Sequence, residues 1–395
     1  MSGKPQRGGV LIRLARSLVK RLLVPLVRLA IFCGWKRRFV CFYSSRIGHL
    51  VSEPDLFLKE GELGMREPFK GIWLASRDTI ANRALLDRWR PFFKLIESPF
   101  LCTILMPLAK HPRTGVDPKP YIGYLDQTAR YPQIQTAWGS RPPQLQLSEA
   151  DRQRGRDELA ALGAPRDCRF ICIHSREAGF IPEEAHHSYR DAEIESYYPA
   201  MEELVRRGYW CIRVGDATMK PLPETEGVID YALSPRKNEW MDVFLCAACE
   251  YFVGSSSGLA LVAAVFGRRV AMANVLPIAS VFPLGPDDIG IPKRLWSEEQ
   301  QRHLTIVEMF ASPSVSFRFS EEYERAGLRP VDNTPEEIRD LALELIGEAE
   351  SPTPQITSRQ DAFKKLMRPG LMGHGAAATV GHAFLEKHGD SLDRP

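Results

Sequence analysis

Hydrophobic runs and polar turns alternate regularly through the second half of the chain. Short apolar runs rich in Val, Ile, Cys and aromatic residues predict strands at 169–173, 209–214, 228–230, 251–253 and 269–272. Between them, apolar residues at helical spacing predict helices at 194–207, 238–249 and 259–266. Such alternation indicates a parallel, doubly wound α/β sheet, whose ligands bind at the carboxyl ends of the strands.

The first half opens a similar unit. An apolar run at 39–43 predicts a strand, the polar stretch 44–49 a turn, and the residues after it a helix. A Pro- and Gly-containing break at 139–143 separates the two halves, and a helix N-terminus follows it at Ser148. We therefore predict four segments: a basic segment at 1–38, Rossmann-like domains at 39–145 and 146–345, and a tail at 346–395 with a helix that packs back.

The basic segment holds a candidate membrane-binding helix at residues 11–32. Its five cations fall within an arc of about 140° on a helical projection and leave leucines, valines and isoleucines on the other face. This pattern is typical of a helix lying in an anionic membrane interface. A signal peptide is disfavoured, because Arg28 interrupts the apolar stretch and small residues suited to cleavage do not follow it. A helix packed on the protein itself is the open alternative.

The distribution of charge along the chain says more about possible partners than the overall composition does. The chain has 395 residues and a net charge of +3, but residues 1–38 carry ten basic residues and no acidic one. The rest therefore has 42 basic against 49 acidic residues, a net charge of −7. An acidic body disfavours nucleic acid as a partner. No uncharged apolar run reaches the roughly 18 residues that span a bilayer.

The eight cysteines are scattered along the chain. This distribution suggests buried thiols in a reducing compartment.

The strongest candidate site is the turn Gly254-Ser255-Ser256-Ser257-Gly258 between a predicted strand and a predicted helix. Small residues allow close approach of an anion, and the free amides at a helix start favour negative charge, so a phosphate or diphosphate fits. The alternative is an ordinary strand-to-helix turn in which a serine caps the helix.

A neighbouring predicted strand ends in His174-Ser175-Arg176. A guanidinium there fits a bidentate contact with a diphosphate held over the serine turn, and pairing with an acid at the sheet edge is the alternative. Arg213 is a weaker candidate that equally suits an exposed strand position. The polar, aromatic run at 186–191 suggests a loop that closes over a ligand; its adjacent histidines do not make a zinc site, and no metal site is expected.

In combination, these motifs resemble those of a bacterial family of glycosyltransferases associated with surface-polysaccharide and flagellin glycosylation clusters, and the resemblance covers roughly residues 38–345. The motifs are RIGHLVSEPDLFLKE (46–60), HSREAGF (174–180), SYRDAEIESYYPAMEEL (188–204), IRVGD (212–216) and FLCAACEYFVGSSSGLALVAAVFG (244–267). The resemblance implies a GT-B fold, with two Rossmann-like domains whose parallel sheets face each other across a cleft. The H-x-R element is also similar to that of distantly related fucosyltransferases, which implies that Arg176 contacts the donor diphosphate.

The function implied is transfer of a sugar from a nucleoside diphosphate sugar to a lipid-linked glycan or protein acceptor, without a metal or other cofactor, at the cytoplasmic face of the cell membrane. If the reaction inverts the anomeric centre, a base must remove the acceptor proton. His49 is the first candidate, with Glu53 and Asp55 next, because all three follow the first strand. His49 equally suits a donor phosphate. The alternative functions are a nucleotide-sugar epimerase on the same fold and a non-catalytic nucleotide-sugar-binding protein.

Overall fold

The structure, a computed structural model, describes residues 7–122, 130–177, 182–280, 285–347 and 353–393, with the side chains of 7–11 and 182–185 left out. It divides into two compact units, Met1–Ile122 and Gly123–Pro395. The division falls earlier than the predicted domain boundary at 145. Helix α6 (Tyr131–Trp138) belongs to the second unit, where Thr136 Oγ1 donates to the Gly375 carbonyl at 2.9 Å.

The first unit contains a three-stranded parallel sheet in the order β1-β2-β3. Its strands are β1 (Arg37–Val40), β2 (Lys70–Leu74) and β3 (Lys94–Ile96). Its helices are α1 (Arg7–Leu18), α2 (Val24–Phe32), α3 (Ile47–Glu62), α4 (Arg83–Arg88) and α5 (Pro99–Lys110), and a π-helical turn, Val19–Leu23, joins α1 to α2. Part of the stretch predicted as a turn is helical, since α3 begins at Ile47 and has His49 in its first turn.

The core of this unit is aromatic. The ring of Phe42, just after β1, lies 5.1 Å from that of Trp73, 5.6 Å from Phe57 and 5.8 Å from Phe93, all at steep angles that favour edge-to-face packing. These contacts fix α3 on the sheet and so determine where the first turn of α3 lies.

A proline inside α3 explains how a second helix is attached. Pro54 has no N–H, so the Leu50 carbonyl cannot receive the usual bond from four residues ahead. The buried Trp89 side chain, immediately after α4, donates from Nε1 to that carbonyl at 3.0 Å. The break in the backbone ladder of α3 is thereby satisfied by a side chain from the next helix.

The second unit is built on a seven-stranded sheet in the order β13-β9-β8-β7-β4-β5-β6, with every neighbouring pair parallel. Its strands are β4 (Phe170–His174), β5 (Trp210–Arg213), β6 (Val228–Asp230), β7 (Tyr251–Gly254), β8 (Arg269–Val275), β9 (Ile289–Pro292) and β13 (Thr379–Val380). The main helices of this part are α7 (Glu149–Ala161), α8 (Tyr198–Arg206), α9 (Glu239–Ala248) and α10 (Gly258–Val265). The α/β class and a parallel sheet in each unit are confirmed.

An antiparallel sheet follows β9, in the order β11-β10-β12. It consists of β10 (Arg294–Ser297), β11 (Arg302–His303) and β12 (Leu328–Val331), with helices α11 (Ile306–Ala311) and α12 (Ser320–Arg325) in between. The chain ends with α13 (Pro335–Leu345), α14 (Pro354–Leu366) and α15 (His382–His388). The segment predicted as a tail thus contributes strand β13 to one edge of the main sheet and two helices to the second unit.

Two properties of the described residues bear on the expectations from sequence. The eight cysteines are free thiols, of which five are buried: Cys102, Cys172, Cys211, Cys246 and Cys249. Cys33 is exposed, so the expectation of buried thiols is wrong for that residue, and Cys41 and Cys168 are partly exposed. Within the described ranges, the helices are too short or too polar to cross a bilayer.

Candidate functional site

The candidate site in the second unit lies where β4 and β7 end side by side. His174, the last residue of β4, is paired in register with Gly254, the last residue of β7, and the Ser255 amide donates to the His174 carbonyl at 3.0 Å. A Cβ atom on Gly254 would come within 2.4 Å of that carbonyl oxygen. Glycine is therefore required for the two strand ends to meet, and this contact brings the H-x-R element and the serine turn together.

Arg176 is joined directly to the serine turn. Its backbone N–H donates to Ser255 Oγ at 2.7 Å, and its carbonyl accepts from the Ala192 amide at 2.9 Å. Its guanidinium Nε donates to Asp191 Oδ1 at 2.9 Å, and a quarter of the side chain is exposed. The pairing with an acid that the sequence left open is thus present, and it holds a cation at the carboxyl edge of the sheet.

The turn from Ser255 to Gly258 serves as a helix start and as a hydrogen-bonding joint. Ser255 is fully buried, whereas Ser256 and Ser257 are partly exposed. Ser257 is the N-cap of α10, and its side chain accepts from the Ala260 amide at 3.4 Å. The capping role considered from sequence is therefore occupied by Ser257. The same geometry places the start of an eight-residue helix, with its positive dipole end, beside the Arg176 loop.

His174 is buried and neutral. Its Nδ1 lies 2.9 Å from the Val214 carbonyl oxygen, which can only accept, so Nδ1 carries the proton. Burial lowers the pKa of His174 to about 4, against the opposing effect of this hydrogen bond. A neutral ring in this position fastens the end of β4 to the residue after β5, and it offers no positive charge to a phosphate.

Arg213 is fully buried, so the exposed position considered from sequence is wrong. Its Nε and Nη2 atoms donate to the two carboxylate oxygens of Asp230 at 2.8 and 2.7 Å, and Nη2 also donates to the Lys220 carbonyl at 2.8 Å. This bidentate pair joins the ends of β5 and β6. These hydrogen bonds give Arg213 a structural role in the sheet. A contact between Arg213 and a sugar-donor substrate remains a prediction.

Lys293, immediately after β9, was missed by reasoning from sequence. Although nearly completely buried, its ammonium donates to the Asp191 carbonyl at 2.6 Å and to Asp332 Oδ1 at 2.7 Å. It therefore fixes the residue that pairs with Arg176. Lys293, Asp191 and Asp332 also line a cavity of about 590 Å³. The only sequence signal was a lysine directly after a short apolar run.

The loop predicted to close over a ligand forms a 3-10 helix, Pro182–Arg190, for which the structure describes side chains from His186 onward. His187 Nδ1 lies 2.9 Å from the Arg318 carbonyl, and its ring stacks on Phe319 at 5.6 Å. In the part of the chain that the structure describes, three or more His, Cys, Asp or Glu side chains are nowhere grouped as a metal site would require.

The first unit has its own group of polar side chains at the start of α3. His49 Nδ1 and Glu53 Oε1 are 2.7 Å apart, and the Tyr43 amide donates to Glu53 Oε2 at 2.9 Å. The Glu53 side chain is fully buried, while about a fifth of the His49 side chain is exposed. Glu53 can therefore orient the imidazole through Nδ1.

Asp55 does not belong to this pair. Two residues from Glu53 along a helix, it lies on a different face, where its Oδ2 is 2.7 Å from the buried Lys59 ammonium. Of the three candidate bases in the sequence, the structure brings His49 and Glu53 together and places Asp55 in a separate ion pair.

No family model and no curated protein sequence matches the chain. Solved structures do match at low sequence identity. ADP-heptose lipopolysaccharide heptosyltransferase II from Escherichia coli is 15% identical, with a TM-score of 0.45 over 80% of this chain and 100% of its own. A glycosyltransferase of family 9 from Veillonella parvula is 12% identical, with a TM-score of 0.45 over 80% of this chain and 98% of its own.

The environment of His174 predicts a specific pH dependence of stability. The pKa of about 4 in the folded protein lies below the ordinary value near 6.5. This group therefore contributes its full stability above pH 6.5 and loses it as the pH falls towards 4. Protonation of His174 on unfolding should therefore lower the unfolding free energy of the wild type by about 2 to 3 kcal/mol between pH 7 and pH 4.5.

Urea unfolding of the His174→Gln variant at both pH values checks this, because glutamine can still donate to the Val214 carbonyl but does not titrate. The variant should lose about 2 to 3 kcal/mol less than the wild type over this interval. His111→Gln, in the first unit, is the matched control for the loss of an imidazole. Equal slopes for wild type and His174→Gln would contradict a buried neutral imidazole.

Proposed function

We propose that the protein is a glycosyltransferase that moves a sugar from a nucleoside diphosphate sugar to a hydroxyl of an acceptor. The observation that carries the proposal is the direct link between Arg176, Ser255 and the start of α10 at the ends of two adjacent parallel strands. A guanidinium beside a helix N-terminus is an arrangement suited to a diphosphate. In a doubly wound sheet, this edge is also where ligands bind.

The chemistry of the leaving group fits the same residues. As the glycosidic bond to the diphosphate breaks, negative charge accumulates on the departing phosphate oxygens. A guanidinium, backbone amides at a helix start and serine hydroxyls can stabilise that charge without a metal ion. We therefore propose a metal-independent reaction in which Arg176 and residues 256–258 bind the diphosphate, while the buried Ser255 holds the Arg176 backbone.

The paired side chains on α3 support a base on the acceptor side. A neutral imidazole whose Nδ1–H is held by a carboxylate can take a proton at Nε2 and is stabilised when it becomes charged. His49 and Glu53 have this geometry at 2.7 Å, with Glu53 held in turn by the Tyr43 amide. We propose that His49 is the base and that Glu53 is its positioning residue.

The wider assignment follows from the motif resemblance. We propose that the chain is a transferase of the GT-B class and that the transferred sugar is a hexose or deoxyhexose. The acceptor would be a lipid-linked glycan or a protein of surface-polysaccharide or glycoprotein biosynthesis. The reaction would take place on the cytoplasmic side of the cell membrane.

Nucleoside diphosphates should stabilise the full-length protein against heat, since a ligand that binds only the folded state at a hundred times its Kd adds about 2.7 kcal/mol. A thermal-shift series should include UDP, GDP, CDP, dTDP, ADP and ADP-heptose, each with magnesium and with a chelator. One nucleotide should raise Tm, equally in both conditions. No stabilisation by any of them would contradict the donor site, and strict dependence on magnesium would contradict the metal-independent reaction.

The Arg176→Ala variant should bind the stabilising nucleotide about tenfold to a hundredfold more weakly, because a charge-assisted contact is worth about 1.5–3 kcal/mol. Arg236→Ala removes an exposed arginine of the same unit and is the matched control. Calorimetric titration of both variants with the nucleotide measures its binding affinity. Wild-type affinity in Arg176→Ala would remove Arg176 from the site.

Substitutions in the His49–Glu53 pair should affect chemistry and leave nucleotide binding unchanged. His49→Ala removes the base and should lower turnover about 10²- to 10⁴-fold. Glu53→Gln is the sharper variant: if its carbonyl keeps the Tyr43 amide, its NH₂ faces Nδ1 and favours the tautomer with the proton on Nε2, which cannot act as a base.

The assay uses the sugar nucleotide that stabilises the protein most. Turnover is measured as the nucleoside diphosphate released when the sugar is transferred to an acceptor or to water. The pH–rate profile separates a base from a structural residue, because its acidic limb should disappear in His49→Ala. Asp55→Asn, in the neighbouring ion pair, is the control for a stability effect. Wild-type turnover in both His49→Ala and Glu53→Gln would contradict the assignment.

A further inference from the structure

The N-terminal helices α1 and α2 present two apolar faces, of which one is used within the first unit. Val19 and Val24 are buried in a cluster with Phe39, Cys102 and Leu108. The π-helical turn makes this possible: the Val24 amide donates to the Val19 carbonyl, so residues five apart lie on the same face. Pro25 follows immediately and has no N–H for an α-helical bond.

The other face is a row of leucines open to solvent. Leu14, Leu18, Leu22, Leu26 and Leu29 are each more than half exposed, and they follow one another at spacings of four, four, four and three residues. Single exposed leucines are ordinary on a protein surface, but a continuous row of five along one pair of helices forms a patch of the kind that marks an interaction site.

Cations accompany this row. Arg13 on α1, Lys20 and Arg21 in the π-helical turn, and Arg28 on α2 are exposed. The first 38 residues contain no acidic residue. Long basic side chains beside an apolar row can extend to headgroups while the leucines enter the acyl boundary. Each cation close to an anionic bilayer adds to the attraction.

An open apolar groove lies beside α2. It has a volume of about 640 Å³ and is lined by Val27, Ala30 and Trp35 together with Leu26 of the exposed row. Since one leucine belongs to both, the row and the groove form a continuous apolar surface. Hydrocarbon suits such a groove, because the side chains that line it are largely apolar.

The charge of the segment decides between two occupants of this face. A second copy of the chain packed row against row would bring the cations of both copies together, at a cost in repulsion. An anionic lipid surface complements both the leucines and the cations. Lipid therefore satisfies both features, whereas self-association satisfies only one.

We propose that the exposed row Leu14, Leu18, Leu22, Leu26 and Leu29 is a docking surface for an anionic phospholipid bilayer, with α1 and α2 lying in the plane of its interface. Val19 and Val24 hold these helices on the first unit, so the bilayer carries the whole folded unit rather than a loose peptide. The inference does not rest on the proposed transferase activity, because lipid binding is measured without any substrate.

Flotation of the full-length protein with vesicles tests the proposal. Wild-type protein should float with phosphatidylglycerol-containing vesicles and much less with pure phosphatidylcholine vesicles, and the difference should shrink at high salt. The double variant Leu18→Gln, Leu22→Gln should bind at least about tenfold more weakly, since it removes apolar area from the interface. Leu233→Gln, at a partly exposed leucine of the second unit, is the matched control and should bind as wild type does.

A second double variant, Lys20→Glu with Arg21→Glu, should abolish the preference for anionic vesicles. Light scattering of the same proteins without lipid measures self-association. The proposal is overturned if the wild type does not float with anionic vesicles. It is also overturned if the double variant Leu18→Gln with Leu22→Gln floats as well as the wild type. It is equally overturned if the leucines prove to hold two copies together and contribute nothing to lipid binding.

Discussion

The close approach of β4 and β7 at their carboxyl ends is the constraint on which the candidate site depends. Gly254 can face the His174 carbonyl because it has no Cβ, and a side chain there would come within 2.4 Å of the oxygen. This contact allows the Ser255 amide to continue the pairing and Ser255 Oγ to accept from Arg176. The glycine expected to admit a phosphate therefore serves first to join two strands, and the hydrogen bond between Arg176 and Ser255 follows from that joint.

Around this joint, buried charges are paired rather than free. Arg213 with Asp230 and Lys293 with Asp332 each occupy the ends of neighbouring strands, where desolvation makes an unpaired charge costly. His174 avoids the cost by staying neutral. Arg176 differs from these residues because a quarter of its side chain remains exposed beside a helix start. Arg176, which pairs with Asp191, thus combines a charge-assisted hydrogen bond with partial exposure at this edge of the sheet.

Hydrophobic patterning predicted the part of the second unit from α7 to β8, since strands such as Val228–Asp230 and helices such as Glu239–Ala248 coincide with apolar runs bounded by polar turns. The strands and helices from β9 to α13 were not predicted. Long-range pairing could not be predicted in this way. Arg213 can be buried because Asp230, on the adjacent strand, pairs with it. The role of Lys293 depends on its hydrogen bond to Asp191, about a hundred residues earlier in the chain. In α3, the sequence suggested three candidate bases, but only the helical geometry shows that His49 faces Glu53 and not Asp55.

A crystal structure of the full-length protein with the nucleoside diphosphate that stabilises it most would test the donor site most directly. The diphosphate should lie at the ends of β4 and β7, with phosphate oxygens about 3 Å from the Arg176 guanidinium and from amides of residues 256–258. A diphosphate bound elsewhere, for example in the cavity beside Lys293 without contact to Arg176, would contradict this donor site.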